Sequence, residues 1–238
     1  MIEEISNFLF PQKCCVCGKF CAGSALCREC EEEVLSEASP CKLCFSDKRN
    51  YFFSVMFDKN NSKTALTFLY FLKQNDNIYA QNYAARLLSV LLTPILQENP
   101  QAFITYIPRS FFSFRQYGFD QSERILRTSV RYMEQESRFL DIFRRSFMSG
   151  QHKTMNCEER IVDAKRTLFL KKKYENGNEK LPDTLIIFDD TITSGAMFER
   201  AAHLAKEAGV RKVIPVFLFC MSSGTDKAKL SEPLEVEV

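Results

Sequence analysis

The sequence predicts an α/β protein, with a parallel sheet preceded by a small cysteine-rich module, and three observations carry that prediction. Between residues 185 and 219 an apolar run, two carboxylates, a hydroxyl-rich loop, a helical stripe and a second apolar run follow one another without interruption. Apolar runs of strand length and stripes of helical spacing also alternate between residues 51 and 107. Eight of the ten cysteines lie between Cys14 and Cys44. Strands alternating with helices indicate a parallel sheet, and clustered cysteines indicate a separate small unit. The expected division is therefore a cysteine-rich module over 1–48, an α/β domain over 49–220 and a loose tail over 221–238.

Taken in chain order, the first element is the module. The pairs Cys14-x-x-Cys17, Cys27-x-x-Cys30 and Cys41-x-x-Cys44 each have the spacing at which two thiolates of one tight turn reach one metal. Four thiolates close one tetrahedral zinc site, and Cys14, Cys17, Cys27 and Cys30 are chosen because their pairs are nearest in sequence and Gly18 follows the first. Cys41 and Cys44 are the alternative to either pair. Cys15 and Cys21 lie off the repeat. A closed four-thiolate site leaves no position for water, so its zinc is structural. Disulfides are the competing account, disfavoured in a reducing compartment. The start, Met1-Ile2-Glu3-Glu4, is acidic where a signal peptide is basic, and no run approaches the roughly 18 apolar residues of a membrane span. The expected location is cytoplasmic.

Tyr51 to Phe57 reads as a strand, and Tyr83, Ala84, Leu87, Leu88, Leu91, Leu92 and Ile95 form the stripe of a long amphipathic helix. Phe103 to Ile107 is the next strand, broken by Pro108. Residues 101–180 hold sixteen Lys/Arg against ten Asp/Glu, an excess of six where the whole chain has an excess of two. Arg109, Arg115, Arg144, Arg145, Lys153 and Arg160 are interleaved there with Phe111, Phe112, Phe114, Tyr117, Phe119, Phe143 and Phe147. Cations attract phosphates and aromatic faces stack on unpaired bases, a chemistry that suits single-stranded nucleic acid. The alternative is that the rings are core and the charges a solvated face. Lys171-Lys172-Lys173 before Asn176-Gly177-Asn178 reads as a basic turn.

Leu185-Ile186-Ile187-Phe188 suits a strand buried on both faces, which places Asp189 and Asp190 at its carboxyl end, where open α/β sheets bind ligands. Carboxylates there accept hydrogen bonds from ribose hydroxyls. Thr191, Thr193, Ser194, Gly195, Ala196 and Met197 then supply hydroxyls, a permissive glycine and the first amides of a helix, which together suit a phosphate. Phe198, Ala201, Ala202, Ala205 and Ala208 carry the helix to a Gly209 cap, and Lys212 to Phe219 is the next strand. An ordinary helix cap by aspartate is the bland alternative.

The segment Leu185 to Met197 resembles the thirteen-residue signature of the type I phosphoribosyltransferase family, which implies a Rossmann-type parallel sheet and binding of phosphoribosyl pyrophosphate with magnesium. The resemblance implies ribose contact by Asp189 and Asp190 and 5′-phosphate contact by Thr193 to Met197. Two positions depart from it: Thr193 stands where active transferases often carry an acidic residue, and Met197 where Thr is usual.

The stretch Arg109 to Ser122 resembles the ComF family of competence-associated proteins. Arg115, Gly118, Phe119 and Gln121 match its pattern, whereas Tyr117 and Asp120 replace an arginine and an asparagine. Phe71-Leu72-Lys73, the spaced Arg145, Gln151 and Arg160, and the amino-terminal cysteine module have the same order. That resemblance spans roughly residues 10 to 220. It implies pyrophosphate or nucleic-acid contact by Arg109, Arg115 and Gln121, handling of single-stranded DNA in natural competence, and partnership with a competence helicase. Two other readings share the ligand site: an active phosphoribosyltransferase acting on a nucleobase or other acceptor, and a non-catalytic scaffold that senses the ligand.

Overall fold

The computed structural model describes residues 12–21, 23–38, 41–45, 52–58, 62–146, 157–221 and 227–230. Gln151 and Lys153, singled out in the sequence, lie outside the described residues, as does Phe147. The elements run β1 (Gln12–Lys13), β2 (Phe20–Cys21), α1 (Arg28–Glu37), β3 (Cys41–Phe45), β4 (Phe52–Asp58), α2 (Lys63–Gln74), α3 (Ile78–Glu98) and β5 (Phe103–Tyr106). They continue with α4 (Phe111–Tyr117), α5 (Gln121–Tyr132), a 3₁₀ turn (Glu136–Arg138), β6 (Phe143–Arg145), α6 (Cys157–Thr167), β7 (Leu168–Leu170) and α7 (Lys172–Glu175). Last come β8 (Thr184–Ile192), α8 (Ala196–Glu207), β9 (Lys212–Cys220) and β10 (Lys227–Leu230).

The main sheet has the order β10-β3-β4-β9-β8-β5. Four adjacent strands, β4, β9, β8 and β5, are mutually parallel, as the alternation of strands and helices predicts. Side chains of β8 alternate between two cores: Ile186 and Phe188 pack with α2, α3 and α5, while Leu185 and Ile187 pack with α8 and the β6–β7 ribbon. A strand covered on both faces has no polar face to present, which explains its unbroken apolar run. Helix α8 ends as expected. Val210 N–H donates to the Ala205 carbonyl at 3.0 Å and Gly209 N–H to Lys206 at 3.0 Å, with Gly209 at φ +99°, a closure that favours glycine.

The sheet crosses the module boundary expected at residue 48. Strand β3 pairs antiparallel with β4, in register Cys41↔Val55, and β10, within the segment read as a loose tail, pairs antiparallel with β3. An uncovered β4 would present a row of unpaired amides and carbonyls, and these two strands satisfy it in turn. Nor is the module's core separate: Cys14, Leu26, Cys30 and Val34 belong to the same buried cluster as Phe68, Leu72, Tyr83 and Leu88. Glu37, the last residue of α1, accepts hydrogen bonds from Thr64 N–H at 3.0 Å and Ala65 N–H at 2.8 Å. It thereby caps α2, whose own N-cap residue, Ser62, makes no side-chain cap bond. Among the described residues no helix is long and apolar enough to cross a membrane.

Candidate functional site

Strand β5 stops pairing at Tyr106, opposite Phe188, whereas β8 continues beside β9 as far as Ile192. Asp189 and Asp190 therefore follow the last residue of β8 that β5 covers, rather than ending the strand as the sequence predicts. Pro108 turns the chain out of the sheet, and the start of α5 takes the vacated flank. Ser122 Oγ donates to Asp189 Oδ1 at 3.2 Å, and Gln121 Nε2 donates to Asp190 Oδ2. Lys73 Nζ, from the end of α2, lies 3.7 Å from the same Asp190 oxygen. Burial pushes the Asp189 carboxyl well above the usual carboxylate range, and the neighbouring charge of Asp190 pushes it further.

Gly195 takes φ +76° and begins α8, so the chain reverses from strand to helix within three residues. A cleft of about 310 Å³ opens at this turn, lined by Asp189, Thr191, Thr193, Ser194 and the start of α8, together with Arg145 and Arg160. Arg160 Nη1 donates to Thr193 Oγ1 at 3.2 Å. Arg145 Nη1 lies 3.1 Å from Met197 Sδ, while Arg145 Nε and Thr191 Oγ1 are buried without a hydrogen-bond partner. A second hollow of about 250 Å³ holds Lys73, Arg109, Asp120, Gln121 and Asp190. The two adjoin along Arg145, Asp189 and Met197, as neighbouring lobes of one site.

Of the residues singled out in the sequence, the cleft brings together Asp189, Asp190, Thr191, Thr193, Ser194, Gly195, Ala196, Met197, Arg109 and Gln121. Arg109 is held tightly. Its Nη2 donates to the Lys73 carbonyl at 2.7 Å, its Nη1 to the Phe119 carbonyl at 3.3 Å, and its guanidinium lies 4.5 Å from the centre of the Tyr117 ring. Burial lowers its pKa. Asp120 accepts from Arg109 N–H at 2.7 Å and from Glu123 N–H at 3.2 Å, joining the loop to the first turn of α5. Burial raises the Asp120 carboxyl to about 6.

Arg115 is not drawn into the cleft; it stands exposed on α4 with Phe112 and Phe114. Phe119 and Phe143, by contrast, are core residues and have no face to offer a base. The sequence singled out neither Ser122 nor Asp163, and it offered Arg145 and Arg160 only among the interleaved basic residues and in the ComF-like spacing, not as ligand-site residues. They come from α5, β6 and α6, and only the fold brings them to β8. Asp120 did carry a local signal, since Asp followed three residues later by Glu is a capping box.

The second site is the cysteine cluster. Cys14 and Cys17 flank the turn between β1 and β2, closed by Gly18 N–H donating to the Cys14 carbonyl at 3.0 Å with Gly18 at φ +75°. Cys27 and Cys30 occupy the N-cap and first turn of α1. The four sulfurs lie within 4.8 Å of one another, and Cys17 and Cys27 are 3.6 Å apart. Sulfurs about 2.3 Å from a tetrahedral metal stand about 3.8 Å from each other, so the four could hold one structural metal ion. Cys15 and Cys21 lie outside this group of four, and strand β3 carries Cys41 and Cys44 into the main sheet. The chain matches no protein-family model and no curated protein.

Proposed function

We propose that the two-lobed cleft binds phosphoribosyl pyrophosphate or a related ribose phosphate, in a type I phosphoribosyltransferase-like protein of ComF type. The observation that carries this reading is Asp189 on the wall common to two lobes, with Asp190 beside it in the second, and cations in both: Arg160 in one, Lys73 and Arg109 in the other, and Arg145 on the shared wall. A ligand with ribose hydroxyls in the middle and a phosphate at each end matches that order of charges. The loop from Thr193 to Met197, at the start of α8, takes the 5′-phosphate. Asp189 and Asp190 take the ribose hydroxyls. They are also oxygen donors of the kind magnesium accepts, and magnesium would supply charge neutralisation for the diphosphate. The thiolates of Cys14, Cys17, Cys27 and Cys30 suit zinc, whose part is structural.

Binding is favoured over transfer. Thr193 offers no carboxylate to take a proton from an incoming base, and its hydroxyl is already engaged by Arg160. The DNA-handling part of the reading rests on α4, a helix without a buried residue, where Phe112, Phe114 and Arg115 are exposed together. The acidic surface of α1, with Glu32 and Glu33, is the contact offered to a competence helicase.

Calorimetric titration of the zinc-loaded protein with phosphoribosyl pyrophosphate and magnesium tests the ligand assignment. Binding by the natural chain, and its loss in a folded Asp189→Asn/Asp190→Asn variant, is the expected result; equal affinity in the two proteins would refute the role of the carboxylates. For DNA, Phe112→Ala/Phe114→Ala is expected to weaken binding of a short single strand at low salt by about tenfold or more, since each stacked base contributes about 1–3 kcal/mol. Unchanged binding would remove α4 from the interface.

A further inference from the structure

The four sulfurs of the cysteine cluster are not equally accessible. Cys14 and Cys30 are buried, 3% and 7% exposed, in the core that also holds Phe68 and Leu72. Cys27 is half-buried, and Cys17 alone is exposed among the cysteines whose burial is described. The two accessible sulfurs come from different pairs, Cys17 from the turn between β1 and β2 and Cys27 from the N-cap of α1, yet they lie 3.6 Å apart. A reagent arriving from solvent therefore meets two sulfurs in contact and finds the other two of the site shut away.

The surroundings favour a bond between these two. Cys27 makes no side-chain cap bond at the start of α1, so its sulfur is not committed to the helix. Cys21 donates its thiol to the Ser24 carbonyl at 3.2 Å, and Cys15 is buried, so neither is poised to compete. A disulfide holds its sulfurs about 2.05 Å apart, so Cys17 and Cys27 need close by only roughly 1.5 Å, a shift that side-chain torsions in a turn and a cap supply. Linking Cys14 to Cys17, or Cys27 to Cys30, would instead draw a buried sulfur away from the core in which it packs.

We propose that Cys17 and Cys27 form a peroxide-responsive dithiol, a modification site whose oxidation takes two of the four donors from the metal centre. The proposal rests on the metal reading of the cluster. Cys17 Sγ attacks one oxygen of the peroxide, breaking the O–O bond and giving a sulfenic acid and water. Cys27 Sγ then attacks the sulfenic sulfur, forming the S–S bond and releasing a second water. Written for the thiols, two S–H groups and hydrogen peroxide become one disulfide and two waters, the sulfurs losing the two electrons that the peroxide oxygens gain. Thiolates that had served a metal draw the same two protons from solvent. Cys14 and Cys30 alone do not close a tetrahedral site, so the oxidised chain no longer holds its metal.

The test treats the full zinc-loaded chain with hydrogen peroxide, follows released zinc with a chromogenic chelator, and maps the linkages by alkylation and mass spectrometry. The expected result is loss of zinc in step with disulfide, Cys17 joined to Cys27, and Cys14 and Cys30 recovered as free thiols. A dithiol reductant with added zinc is expected to restore the site. Cys21→Ser, which lies outside the four, is expected to give the same linkage and the same release. A linkage inside either pair, a linkage to Cys21, or four intact thiols once glutathione in the same solution has been oxidised overturns the proposal. If the natural chain holds no zinc, the metal reading fails, and a linkage of Cys17 to Cys27 in the map still establishes the dithiol.

Discussion

Asp120 shows how one side chain couples the site to pH. It is buried between the Arg109 loop and α5, accepts two backbone hydrogen bonds, and still titrates near 6 because burial outweighs those bonds. A carboxyl whose folded pKa lies above its unfolded value near 4 contributes stability that is complete below about pH 4 and lost as pH rises through about 6. Asp189 shifts in the same direction. Relative to Asp120→Asn, the natural protein should therefore lose roughly 2–3 kcal/mol between pH 4 and 7, read from urea unfolding at the two values. Parallel pH profiles for the two proteins would show that Asp120 does not carry this linkage. At this scale the sequence was legible where chemistry is contiguous, as in Asp189 to Met197 or Cys14 to Cys30. It named Arg145 and Arg160 only among many basic residues, because their place in the cleft comes from the fold, something no local spacing encodes.

Among the elements, α2 links the two sites. Glu37 at the end of α1 caps its start, and Lys73 at its end meets Asp190 and gives its carbonyl to Arg109. Replacing Glu37 by Ala leaves two amides at the start of α2 without their acceptor, and should cost about 1–2 kcal/mol in urea unfolding. A loss below a few tenths would mean that water replaces the carboxylate without penalty. Helices α3 and α8 and the parallel strands were readable from their periods, because burial on one stripe or on both faces leaves a mark in the sequence. The register of β3 and β10 was not. β3 satisfies the edge of β4 and β10 that of β3, and backbone pairing requires no particular side chains. The Arg109 to Ser122 stretch was noticed for its motif and not for any element, yet Ser110 and Gly118 bound a two-turn helix within it, with Ser110 Oγ accepting from Ser113 N–H at 3.3 Å and Gly118 at φ +80°.

For the molecule as a whole, the shared core has a consequence for metal removal. Cys14 and Cys30 are buried in the cluster that contains Phe68, Leu72 and Leu88, so the cysteine module is one wall of the larger core. A chelator that strips the four-cysteine site should lower the melting temperature of the entire chain in a single transition, followed by calorimetry. Separate melting of the module, with the main transition unmoved, would show two independent units instead.

The central claim concerns a cleft whose lobes hold the two ends of one ligand. Its most direct test is a competition titration: phosphoribosyl pyrophosphate with magnesium is bound first, then displaced by ribose 5-phosphate in one experiment and by pyrophosphate in another. The account predicts that both displace it, each from its own lobe, and that together they bind at the same time. Absence of phosphoribosyl pyrophosphate binding, or displacement by neither fragment, would contradict it.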